Sequence, residues 1–95
     1  MAQSAILAPT STTPSTSTPV AIADGATAKV GLYVASGELP NKVRATVLMG
    51  TPGSATPIDE LTKDRPVVNV FGPADAITVR LDVNDGAAVG VYSNT

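Results

Sequence analysis

The chain has 95 residues and a formal charge of -2 from 8 acidic and 6 basic side chains, with two Tyr, one Phe and neither Cys nor His. That length leaves room for one domain, and the missing Cys and His remove disulfides, thiolate metal sites and the usual zinc and copper ligand sets, so no cofactor is expected. Lys29, Lys42, Arg44, Lys63, Arg65 and Arg80 form no stripe that would displace counterions, and few rings are present to stack on bases, so direct nucleic-acid binding is not expected.

Residues Met1 to Ala8 carry no positive n-region and no apolar stretch long enough for a signal peptide. No run approaches the ~18 apolar residues of a membrane span. The expectation is a soluble protein made in the cytoplasm, without membrane contact. From Pro9 to Pro19 every residue is Ser, Thr or Pro. Such a tract has little to bury against the roughly 1–2 kcal/mol of backbone entropy lost per ordered residue, and Pro9, Pro14 and Pro19 bias it toward extended conformations. Residues 1–18 therefore read as a flexible Ser/Thr/Pro-rich arm ahead of a β-sandwich domain at 19–95. A disordered tail is one reading of the arm. The other is a segment that orders on a neighbouring subunit, anchored by Ile6 and Leu7 at the apolar tip beyond the polar spacer. A glycosylated stalk has similar composition, but the absent secretion signal counts against it.

From Val20 the pattern becomes short β-branched runs broken by turn residues. Val20 to Ala23 ends at Asp24-Gly25, a turn signal. Val30, Leu32 and Val34 share one face of the next strand, and Val43, Ala45, Val47 and Met49 share one face of the strand after it, opposite Arg44 and Thr46. Residues 54–66 are weaker, with a short edge strand at Pro57-Ile58 and a single helical turn at Asp59 to Leu61. Val67 to Phe71 is a strand that stops at Gly72-Pro73. Ile77, Val79, Leu81 and Val83 alternate with Thr78, Arg80 and Asp82, the mark of an antiparallel strand with one wet face. Asn84-Asp85-Gly86 then turns the chain into a last strand from Ala87 to Tyr92.

Six to seven strands at this spacing, with no amphipathic helix, predict an all-β fold: a small antiparallel β-sandwich or barrel. One small core rarely supplies more than about 3–5 kcal/mol, and without disulfides or metal the remaining supplement is oligomerisation, so a homo-oligomer (dimer or trimer) is expected. Leu48, Val68 and Val70 sit out of phase with the inward sets. They either fill a second layer of the sandwich or form an apolar patch for a neighbour.

Chemistry is sparse. Acid–base work near neutral pH usually needs His, and the hydroxyls crowd into the arm with no base to activate them. Asp59-Glu60 reads as solvated loop rather than a catalytic pair flanking a cleft. Asp82 to Gly86 has its glycine at the wrong position for a calcium loop and reads as a β-turn. Asp64, Arg65 and Arg80 are candidates for surface ion pairs of little weight. The chain is not expected to be an enzyme.

With these residues laid out, the chain resembles small all-β virion proteins of tailed bacteriophages, in particular head decoration or capsid cement proteins. The resemblance rests on the low-complexity arm, the Asp24-Gly25 turn into Val30-Gly-Leu-Tyr33, the Phe71-Gly-Pro73 entry to a late strand, and the closing Ala88-Val-Gly-Val-Tyr92. It implies a β-domain in the virion, docked on the outside of a capsid lattice built by the major capsid protein or other virion subunits, with the arm lapping over neighbours. The expected partner-binding residues are Ile6, Leu7, Pro9, Pro14, Pro19, Tyr33 and Tyr92. The alternative is an adhesion or carbohydrate-binding module at a fibre tip or cell surface, for which Tyr33 and Tyr92 are the available aromatic platforms.

Overall fold

In the computed structural model, which describes residues 3–35, 37–50 and 54–94, every regular element is a β-strand. The strands are β1 (Gln3–Thr10), β2 (Ser15–Thr16), β3 (Val20–Ile22), β4 (Thr27–Val34), β5 (Arg44–Met49), β6 (Thr56–Thr62), β7 (Val67–Phe71), β8 (Ala74–Val83) and β9 (Val89–Asn94). They form two antiparallel sheets. The first has the order β1-β9-β4-β7; the second has the order β2-β8-β5-β6, with β3 also pairing along β8. The all-β class and the two-sheet packing agree with the alternation in the sequence.

The core lies between the sheets and is wholly aliphatic. Val30 and Val91 from the first sheet and Val47, Leu61, Ile77 and Leu81 from the second are among its fully buried members. At about 25 cal/mol per Å² of apolar area removed from water, these side chains are the main favourable term. The inward sets read from the alternation hold in part: Val30 and Leu32 on β4, Val43, Ala45 and Val47 on and just before β5, and Ile77, Val79 and Leu81 on β8 are buried, Val34 and Met49 are half-buried against the core, and Val83 is half-buried outside it.

The strand count is nine rather than six or seven, and the two extra strands, β1 and β2, come from the segment expected to remain outside as an arm. That expectation is corrected. β1 pairs along β9 from Gln3↔Asn94 to Thr10↔Val89, and Ile6 joins the core at 9% exposure. The tract that follows crosses to the second sheet, where Ser15 pairs with Leu81 and Thr16 with Arg80. Composition misleads here because the tract need not bury apolar mass of its own. Its hydroxyl and backbone groups instead satisfy sheet-edge partners. The Ser17 hydroxyl, buried at 6% exposure, accepts the Val79 N–H at 2.9 Å, while the Ser17 N–H donates to the Val79 carbonyl at 2.9 Å. Thr18 donates its N–H (2.9 Å) and its hydroxyl (3.3 Å) to the Ile6 carbonyl, which ties the tract back to β1. Residues 3–22 thus strap the two sheets together along one side.

The helical turn expected at Asp59 to Leu61 is also corrected. β6 runs unbroken from Thr56 to Thr62 against β5, because Leu61 must reach the core, where it is fully buried. A register shift between Val47 and Leu48 accommodates Pro57, whose missing N–H is tolerable on an edge strand. The out-of-phase residues divide. Val68 and Val70 belong to the core, whereas Leu48 is buried outside the main cluster.

The predicted Asn84 turn is present. The Ala87 N–H donates to the Asn84 carbonyl at 2.9 Å across Asp85 (φ 53°) and Gly86 (φ 78°), the double positive φ of a type I′ hairpin. Asn84, buried at 5% exposure, accepts the Gly86 N–H and donates its Nδ2 to the Thr10 carbonyl, both at 3.1 Å. That second bond fastens the turn to β1.

Candidate interaction surface

The two long sides of the sandwich differ in kind. One is closed by the strap of residues 3–22. The other carries β6 and β7, the adjoining edge strands of the two sheets. These two strands are joined by a tight turn in which Thr62 and Arg65 exchange backbone hydrogen bonds of 3.1 and 3.2 Å. Arg65 grips Asp59 across this turn with both terminal guanidinium nitrogens, Nη1 and Nη2, at 3.0 and 3.2 Å. Arg65 therefore pairs with Asp59 rather than with its neighbour Asp64, and Asp59 belongs to strand β6 rather than to a loop. Arg80 pairs with Asp82 at 2.7 Å, and the Thr46 hydroxyl donates to the same carboxylate.

Among the described residues the exposed large hydrophobics sit on this side: Ile58 of β6 at 43%, and Val67 and Phe71 of β7 at 38% and 70%. Single exposed apolar residues are ordinary, but here an aromatic and two β-branched side chains lie on the two edge strands of one side. Sequence reasoning missed these three. The available signal was that Val67-Val-Asn-Val-Phe71 is apolar on both of its alternating faces. Only Val68 and Val70 can enter the core, so Val67 and Phe71 are left outside.

On the outer face of the first sheet, Tyr33 and Tyr92 meet edge to face, with ring centroids 6.3 Å apart and planes at 63°. Each ring covers a glycine on the adjoining strand: a Cβ on Gly31 would fall 2.6 Å from the Tyr92 ring, and one on Gly90 would fall 2.7 Å from the Tyr33 ring. Both tyrosines are half-buried. One ring face of each is occupied by a glycine and the two rings are not coplanar, so they present no shared flat platform to a sugar.

The other expected partner-binding residues are dispersed. Ile6 is in the core and Leu7 packs against it; Pro9 is half-buried beside β9, while Pro14 and Pro19 are exposed on the strap. The structure does not gather these residues with Tyr33 and Tyr92 into one site. Among the described residues no cluster of three or more Asp or Glu is placed to hold a metal ion. Ser17, Thr78 and Ser93 are hydroxyls buried within the sheets. What the arrangement offers chemically is association, through apolar side chains and sheet-edge backbone groups.

No family model matches the chain, and no curated protein or solved structure matches it.

Proposed function

We propose that the chain is a structural virion protein that binds the outside of a phage capsid lattice and stabilises it, with the major capsid protein or other virion subunits as its partners. The reading draws on the resemblance to head decoration proteins. The observation that carries it is that Ile58, Val67 and Phe71 are exposed on the two edge strands of one side of a sandwich whose other side is strapped shut. A small rigid sheet body suits a role in which the protein adds contacts to a lattice. Docking in this proposal falls to the β6/β7 side rather than to a free arm, since residues 3–10 are a strand of the body.

The reading is tested by raising antibody to the purified chain and labelling virions made by cells that carry its gene. Labelled heads, with a copy number in fixed integer ratio to the major capsid subunit, are the expected result. Purified virions that lack the protein would end the proposal. The adhesion or carbohydrate-binding alternative draws no support from the tyrosine geometry.

A further inference from the structure

We infer that β7 is a self-pairing edge: two copies of the chain join antiparallel through Val67–Phe71, with Asn69 opposite Asn69 on a two-fold axis, so that the two four-stranded sheets become one. The β4–β7 ladder assigns the direction of every backbone group on β7. The Gly72 N–H donates to the Ala26 carbonyl at 2.8 Å and the Leu32 N–H to the Pro66 carbonyl at 2.9 Å, flanking the pairs Thr27↔Phe71 and Gly31↔Val67. In an antiparallel ladder this makes Ala28/Val70 and Val30/Val68 the pairs that exchange hydrogen bonds. The N–H and C=O groups of Val67, Asn69 and Phe71 therefore point to the far edge, where among the described residues no strand pairs with β7.

The other sheet edges carry devices that block pairing. β1 contains Pro9 and two register shifts, and β2 has two residues. β3 has three residues and a register shift of its own. β6 carries Pro57, Asp59 and Glu60. β7 has no charge, no proline and an unbroken register with β4. Two copies can meet there without like charges opposing. Centring on Asn69 pairs all three outward residues, and it sets Val67 against Phe71 of the second copy on both sides of the axis. Aromatic against β-branched is a favourable cross-strand pair, and an edge joined to itself in this way is isologous and closes after two copies.

The pairing shares one premise with the proposed function, that the β6/β7 side is the associating one. It is tested on the free protein, so its failure and that of the capsid reading are distinguishable. Sedimentation of the full chain should show twice the monomer mass at concentrations up to about 1 mM, the weak end of specific affinity. Asn69→Lys and Asn69→Asp should each sediment as monomers with an unchanged far-ultraviolet spectrum, and an equimolar mixture of the two should regain the dimer. Amide exchange gives a readout that needs no variant. Val68 and Val70 should be protected at every concentration, and Asn69 and Phe71 only where the dimer forms. A wild-type monomer throughout, a dimer indifferent to both substitutions, or a mixture that stays monomeric would each overturn the pairing.

Discussion

The ring of Tyr92 lies across Gly31, its register partner on the adjoining strand, so closely that a Cβ on the glycine would sit 2.6 Å from Cε1 and Cζ. Two residues further along the same ladder the relation is repeated with roles exchanged, Tyr33 of β4 lying over Gly90 of β9. The weak positions of two neighbouring strands, glycines with no side chain to pack, are thus covered by the aromatic residues of the opposite strand. The tyrosines work first as cover for the β4–β9 ladder.

The two glycines should respond differently to alanine. At Gly31 the three atoms nearest the added carbon all belong to the far part of the Tyr92 ring, which can swing away, so Gly31→Ala should cost about 1 kcal/mol. At Gly90 it also meets the Leu7 carbonyl at 2.7 Å, which belongs to the β1 backbone, and the cost should approach ~3 kcal/mol. Thermal melts check the order. Tyr92→Ala should cancel the penalty of Gly31→Ala, whereas Tyr33→Ala should leave that of Gly90→Ala largely in place.

Removing residues 1–18 discriminates between a strand and an appendage. The truncation strips β1 from β9, takes Ile6 out of the core and removes the Ser17 and Thr18 bonds. A core isoleucine alone is worth about 2–5 kcal/mol, comparable to the whole stability of a domain this small. The shortened chain should lose its cooperative melt. A truncated chain that melts like the full one would return the segment to the status of an arm.

The core faces of β4, β5 and β8 were legible because alternation of period 2 marks the side that meets the core; the opposite sides are not wet throughout, since Leu48 and Thr78 are buried there. Leu81 and Arg80 are as clear in the sequence as in the fold. β1 showed in the sequence only as the apolar Ile6 and Leu7, which read equally as an anchor for a neighbour, and the tract after it was not legible, since its order comes from hydrogen bonds to distant partners such as Val79. The patch at Val67 and Phe71 was half legible: the strand was evident, but not which of its two apolar faces met the core. That choice is fixed by register, which sets Val68 opposite Val30 and Val70 opposite Ala28, both core residues.

Ser17→Ala tests whether the hydroxyl-rich tract is held by specific bonds. The change leaves the Val79 N–H without its side-chain acceptor in a buried position, at a cost of about 1–3 kcal/mol. Ser15→Ala is the control. Its hydroxyl donates to the Thr12 carbonyl at 2.7 Å, but in an exposed setting where the change should stay within ~0.5 kcal/mol. Urea unfolding curves of the two variants should separate accordingly. Equal midpoints would mean that the tract contributes through its backbone alone.

Leu61 and Phe71 separate what stabilises the fold from what joins molecules. Leu61 is fully buried, so Leu61→Ala opens a cavity and should cost about 2–5 kcal/mol, enough to leave much of the population unfolded. Phe71 is larger, yet it is 70% exposed and has little packing to lose. Phe71→Ala should therefore change monomer stability by no more than ~0.5 kcal/mol, read by chemical unfolding at low protein concentration. At high concentration the same substitution should weaken association, because each interface holds two copies of the Val67–Phe71 pair. A Phe71→Ala protein destabilised as severely as Leu61→Ala would assign the ring to the fold and remove it from the surface.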